Sequence, residues 1–217
     1  MRNAALASIL AAALAAAGCL EKETTSTIYL RQDGSFDWVI LEQNVRSDGR
    51  DEDSRRAEEA EWVEAASRGE QDPVTALLAL GAQDVHVRWL RSRRPYGVMV
   101  DARFDSLARV FDRLLLPCEV PYESTVAEAG GIATWTLRAD VGVDGERLDG
   151  GGADACGEGL DGLGDALDGL RVILESGTFT AAKGFTIQGT DAAVADEAAV
   201  EAAVKSTGVV ELSLSWR

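Results

Sequence analysis

Thr27-Ile28-Tyr29-Leu30-Arg31-Gln32-Asp33-Gly34-Ser35-Phe36-Asp37-Trp38-Val39-Ile40-Leu41 is the stretch on which the fold turns. Two runs of β-branched, aromatic and aliphatic residues flank Asp33-Gly34. An Asp-Gly step in that setting signals a hairpin, because glycine takes the positive φ that the turn requires. Asp33 therefore reads as a turn residue and not as a catalytic acid. The same unit recurs further on. Val85, Val87 and Trp89 alternate with His86, Arg88 and Leu90, and Arg93-Arg94-Pro95-Tyr96-Gly97 turns the chain back into Val98, Val100, Ala102 and Phe104. Residues 120–126 and 132–141 form a third pair of strands around Gly130-Gly131.

Helices separate these hairpins. Asp53 or Ser54 can cap a helix that runs to about Arg68, with Gly69 as its stop. Asp72-Pro73 opens a second, which carries Leu77, Leu78 and Leu80 and ends at Gly81. Leu107, Val110, Phe111, Leu114 and Leu115 have the spacing of a third, stopped by Pro117. Leu160, Leu163, Leu167 and Leu170 have helical spacing too, weakened by Gly162, Gly164 and Gly169. Residues 171–175, 178–181 and 185–187 read as short strands, 192–205 as an Ala-rich helix, and 209–216 as a closing strand with Val210, Leu212, Leu214 and Trp216 on one face. Strand pairs alternating with helices predict an α+β fold, mainly antiparallel sheet built from hairpins with helices packed on it. The plan is one domain over residues 27–217, with a Gly/Asp-rich loop at about 144–159 that holds too little apolar surface to offset its ordering.

The start of the chain has a different character. Arg2 supplies one positive charge, and residues 4–17 contain only Ala, Leu and Ile apart from Ser8. The run is shorter than the roughly 20 apolar residues that span a bilayer, and a basic start before a short apolar run marks a secretory signal peptide. It ends in Ala16-Ala17-Gly18-Cys19, which resembles the lipobox of bacterial lipoproteins, with Ala16 where that family most often has Leu. The resemblance implies cleavage after residue 18 and acylation of Cys19, with residues 19–26 as a short polar tether. Two or three acyl chains on one cysteine hold far better than one, since each buried methylene contributes about 0.8 kcal/mol. Leu20 follows the cysteine, where many inner-membrane lipoproteins carry Asp; by the same resemblance the expected place is the outer membrane, facing the periplasm. The Asp-Gly hairpin at 27–41, so soon after the cysteine, is also similar to uncharacterised lipoproteins, which implies no activity.

Removing residues 1–18 leaves 199, and the formal charge moves from −16 to −17 as Arg2 is lost. So acidic a chain repels phosphate backbones and anionic head groups alike, which argues against nucleic acid as a partner and for a body held off the lipid. The acyl chains are then the expected membrane contact. Cys118 and Cys156 remain after Cys19, an even number suited to an oxidising compartment, and a disulfide between them is expected to contribute about 2–4 kcal/mol.

Familiar chemistries fare poorly. Gly157-Glu158-Gly159-Leu160-Asp161-Gly162 fits a three-glycine dinucleotide pattern, yet no strand precedes it and acids flank the supposed phosphates. The Asp series from Asp140 has Gly142 and Gly151 where an EF-hand needs ligands, so no metal site is assigned. His86 is the single histidine, with no Gly-x-Ser-x-Gly elbow and no zinc-protease motif, and reads as a surface strand residue. No cofactor and no catalytic residue is assigned. Arg88, Arg91, Arg93 and Arg94 form the one basic island, expected to pair with neighbouring acids and blunt an edge strand, with docking of an acidic partner, an anionic glycan or a lipid head group as the alternative. Trp38, Trp62, Trp89, Trp135 and Trp216 read mostly as core. The leading expectation is a non-enzymatic envelope lipoprotein that binds a partner protein or a small ligand. A carboxylate-dependent hydrolase and a calcium-binding module on the Gly/Asp loop are the alternatives.

Overall fold

The computed structural model describes residues 20–115, 120–142 and 169–217. Among them lie eleven strands and four helices, in the α+β arrangement that the hairpins announce. In chain order they are β1 (Leu20–Leu30), β2 (Phe36–Ser47), α1 (Glu52–Arg68), α2 (Asp72–Ala79), β3 (Val85–Arg91), β4 (Tyr96–Phe104), α3 (Leu107–Leu115), β5 (Tyr122–Ala129), β6 (Ile132–Asp140), β7 (Arg171–Leu174), β8 (Phe179–Lys183), β9 (Phe185–Gln188), β10 (Ala192–Ala195), α4 (Glu197–Thr207) and β11 (Val209–Trp216). The strands form two sheets, in the orders β3-β4-β2-β1-β7-β10-β9 and β5-β6-β11-β8. Where the sequence suggests one domain, contacts gather into two compact units. Unit 1 holds residues 20–24, 40–75 and 86–100; unit 2 holds 25–39, 76–85 and the described residues from 101 onward.

The decisive turn forms as its chemistry dictates. Gly34 sits at φ +83°, its N–H donates to the Arg31 carbonyl at 3.0 Å, and the Asp33 carboxylate accepts from the Ser35 N–H at 3.0 Å and hydroxyl at 2.7 Å. Those hydrogen bonds, first of all the hydroxyl's, hold the Asp33 carboxyl below its ordinary range. Along β2 the buried residues are Phe36, Trp38 and Glu42, then Val45 and Ser47. The inward parity changes between them because Asn44 adopts φ +56°, a conformation that asparagine tolerates better than most. A one-residue slip in a strand moves every later side chain to the opposite face.

Unit 1 is small and aromatic. Val45, Trp62, Ala66 and Val98 form its buried cluster, and Leu20, Val63, Val87, Trp89 and Tyr96 pack on it. Trp62 meets Trp89 edge-on at 5.9 Å and Tyr96 at 6.1 Å between ring centroids. Helix α1 begins two to three residues earlier than the sequence suggests. Asp51, not Asp53 or Ser54, is the cap: its carboxylate accepts from the Asp53 N–H at 3.1 Å and the Ser54 N–H at 2.9 Å. The Arg93-Arg94-Pro95 turn contains a cis Arg94-Pro95 bond.

Unit 2 is built around β11, whose residues alternate strictly between half-buried and buried. Trp216, Leu214, Leu212 and Val210 face inward, matched by Trp135, Leu137 and Ala139 of β6, with which β11 pairs antiparallel. Trp135 is 1% exposed and stacks obliquely on Phe111 at 5.0 Å, so α3 closes the inner face of this sheet. In the other sheet Thr27–Leu30 of β1 pairs with Arg171–Leu174 of β7 in parallel, a long-range partnership that no hairpin signal announces.

Two readings are corrected. Residues 20–26 are not a free tether but the first part of β1. Residues 192–205 are not one helix: Ala192–Ala195 is strand β10, paired with both β7 and β9, and only after the Asp196 cap does α4 begin. Alanine's helical preference amounts to less than about 1 kcal/mol per residue, and two strand edges outweigh it where small side chains are needed; Ala192 and Ala193 are buried there.

Replacing Trp135 by Ala is expected to cost about 3–5 kcal/mol, since the indole fills the space against Phe111 and Phe185. Urea unfolding followed by far-ultraviolet circular dichroism measures it. An unchanged midpoint would show that this sheet is not held through β6.

Candidate functional site

The inner face of the β5-β6-β11-β8 sheet is apolar, and strand alternation therefore puts polar side chains on the other face. Across it run two matched rows: Glu123, Arg138 and Glu211, then Thr125, Thr136, Ser213 and Lys183. Thr125 and Thr136 share a hydrogen bond of 2.8 Å, and Thr134 and Ser215 one of 3.0 Å. Helix α4 lies beside this face and buries none of its residues, although Ala199, Val200, Ala203 and Val204 would suit a core. Between helix and strands a groove of about 420 Å³ remains, walled by Ala199, Val200 and Ala203 and floored by Arg138, Lys183 and Glu211. It runs on into a second hollow of about 310 Å³ over the same three charged side chains and Glu123.

Glu211 is the centre of this floor. Lys183 donates to one carboxylate oxygen and the Arg138 Nε lies 3.3 Å from the other. The hydrogen bond from Lys183, then its charge, holds the Glu211 carboxyl below the ordinary glutamate range. That is the opposite of what a general acid in a two-carboxylate hydrolase needs, where one carboxyl must keep its proton near neutral pH. What the floor can do is bind. It presents two cations against one anion, next to a short apolar wall, in a chain that is otherwise strongly acidic.

Unit 1 holds a second polar centre, and this one is buried. Glu42 is 0% exposed, at a position where the alternation of β2 calls for an apolar side chain. The Lys22 ammonium lies 2.6 Å from one of its oxygens, and the Gln71 amide donates weakly to the other at 3.5 Å. Gln71 is itself buried, and its amide oxygen has no hydrogen-bond partner. Glu59 of α1 is also buried; it accepts from the Ser47 N–H and from the Arg94 Nε, each at 3.0 Å. These groups lock β1, β2, α1 and the β3–β4 turn together and leave no free nucleophile or base. Their arrangement is structural.

The residues singled out in the sequence fall as follows. Cys19, Cys118 and Cys156 lie outside the described residues, as does the Gly/Asp-rich loop with its calcium and dinucleotide patterns. Among the described residues no group of three or more His, Cys, Asp or Glu side chains could hold a metal ion. His86 is exposed on β3, at the edge of its sheet. Within the basic island Arg94 pairs with Glu59 and reaches Glu52, whereas among the described residues no carboxylate pairs with Arg91 or Arg93, so the expected pairing is met only in part. Four of the five tryptophans are buried, and Trp89 is half-buried. The sequence reading missed Glu42 and Lys22 and the Arg138-Lys183-Glu211 floor. A charged residue at an inward register of β2 was the available signal for the first. The second needed the pairing of three strands far apart in the chain.

No known protein family matches the sequence, and no curated protein is similar to it. Among solved structures the folded domain of LppM from Mycobacterium tuberculosis, determined by NMR, superposes over 90% of this chain and 89% of that chain, with 13% identity and a TM-score of 0.33. So loose a superposition assigns no activity, ligand or partner. No helix among the described residues is long and apolar enough to cross a membrane.

Two expectations follow from these geometries. Lys22→Met should destabilise by about 3 kcal/mol, because it strands a buried carboxylate. Glu42→Gln should cost less, since the freed Lys22 can extend into water. Chemical denaturation of the two variants reads the difference, and equal losses would show that Lys22 does not compensate Glu42. At the groove, the depressed Glu211 carboxyl contributes stability above its unfolded-state value, and that stability is lost as pH falls through its folded-state value. Thermal melts of Glu211→Gln should therefore show a flatter acid limb than the parent; identical acid limbs would remove Glu211 from the floor's electrostatics.

Proposed function

We propose that this chain is an exported lipoprotein of the bacterial envelope, cut before Cys19 and held on a membrane by acyl chains on that cysteine. Its folded part works there as a non-enzymatic module that binds a small ligand or a partner protein. The observation that carries the reading is the leader itself: Arg2, the Ala/Leu/Ile run, and Ala16-Ala17-Gly18-Cys19. Leu20 after the cysteine favours the outer membrane, facing the periplasm, as the destination.

For the binding role the support is the groove beside α4. Its apolar wall and its two cations suit a small molecule with an apolar body and one anionic end, which would compete with Glu211 for Lys183 and Arg138.

Expression of the full chain and its Cys19→Ser variant in a bacterial host tests the anchor. The parent should fractionate with membranes and carry the added mass of lipid at a new amino terminus on residue 19; the variant should lose both. Membrane association and mass identical in the two proteins would end the proposal.

A further inference from the structure

We propose that the end of unit 1 carrying the first residues of β1 and the β3–β4 turn is a membrane-contacting face, in which Arg91 and Arg93 engage anionic phospholipid head groups. The inference rests on the acylation of Cys19 and adds to it where on the fold the bilayer lies. Strand β1 starts at Leu20, and Leu20 packs against the Val45–Trp62 cluster. Consecutive Cα atoms are about 3.8 Å apart, so acyl chains on residue 19 enter the bilayer within one peptide unit of a packed side chain. No flexible spacer separates them from the fold. The surface around Leu20 therefore sits at the head groups.

What else lies at that end follows from the pairing. Glu21 meets Arg46 at 2.8 Å, which places the start of β1 beside the end of β2. Ser47, the last residue of β2, and Arg94 of the β3–β4 turn bind the same Glu59 oxygen. Sheet order puts β4 two strands from β1 and β3 three, so the turn lies roughly 10–15 Å from the anchor. The acids there are largely committed: Glu21 to Arg46, Glu52 to Arg55 and Arg56, Glu59 to Arg94, and Asp51 to the amides of α1. Among the described residues no carboxylate pairs with Arg91 or Arg93; Arg91 donates only to the Arg94 carbonyl. Two uncompensated arginines at this end suit an anionic interface, although the chain as a whole is acidic.

The test uses the full, acylated protein in vesicles of phosphatidylcholine alone and of phosphatidylcholine with phosphatidylglycerol, read by hydrogen exchange. The amides of Leu90 to Arg94 should exchange several-fold more slowly on the anionic vesicles, and the protection should disappear at high salt. The double variant Arg91→Gln/Arg93→Gln should lose it, and Arg109→Gln, an exposed arginine of unit 2, should keep it. Equal exchange on both vesicles, in a protein whose mass shows the lipid, would overturn the contact face and leave the anchor standing. A mass without lipid would overturn the anchor, and this face with it.

Discussion

Strand β1 has to be paired on both edges. It lies fourth of seven in its sheet, and a strand with two unsatisfied rows of N–H and C=O groups cannot stay buried. One edge is satisfied locally, by β2 through the Asp33-Gly34 turn. The other is satisfied by β7, which starts at Arg171 and runs parallel. A parallel partner cannot be reached by a tight turn, so the intervening chain must leave the sheet and come back. Closing so long an excursion costs only slowly more as it lengthens, which makes the arrangement affordable for a chain of this size. The α1–α2 pair, α3 and the β5–β6 hairpin lie within that excursion, while β3 and β4 return to the same sheet beyond β2.

The polar interior of unit 1 shows a different constraint. A small aromatic cluster around Trp62 cannot hold several elements by apolar area alone, and Glu42 and Glu59 supply directed contacts in its place. Buried carboxylates are costly unless each oxygen is met, so they fix geometry more than they add stability. Glu59 is met at one oxygen by both a backbone N–H and an arginine; Glu42 is met at one oxygen by Lys22 and less well at the other by Gln71. The register change at Asn44 belongs to the same arrangement. It lets β2 turn Glu42 inward and then present Val45 and Ser47 inward as well, which an uninterrupted strand could not do.

In unit 2 the sheet that carries β11 has one face filled by tryptophan and leucine and another left to threonine, serine and charge. Helix α4 borders that second face without sealing it. A helix with an apolar side and no buried residue is unusual economy for a core element and ordinary for the wall of a binding groove. The charge at its floor is balanced toward the positive, against the sign of the molecule as a whole. Binding sites are recognised by such local departures, and net charge by itself says little about them.

Much of this was legible in the residues. The Asp33-Gly34 turn, the alternation of β3 and of β11, and the helix stop at Gly69 are local patterns, each governed by a few neighbouring side chains and backbone angles. Local patterns gave the α+β class and most of the strands. They failed where distant partners decide. Ala192–Ala195 is a strand because β7 and β9 offer edges on both sides, and residues 20–26 are a strand because β2 returns beside them. The Glu42–Lys22 pair and the Arg138-Lys183-Glu211 floor depend on which strands lie side by side. Sequence alone determined the hairpins and the acidity, since these are properties of short segments or of composition. Only tertiary structure decided the strand order, the register change that buries Glu42 and the groove beside α4, because each arises from hydrogen bonding and packing between segments far apart in the chain.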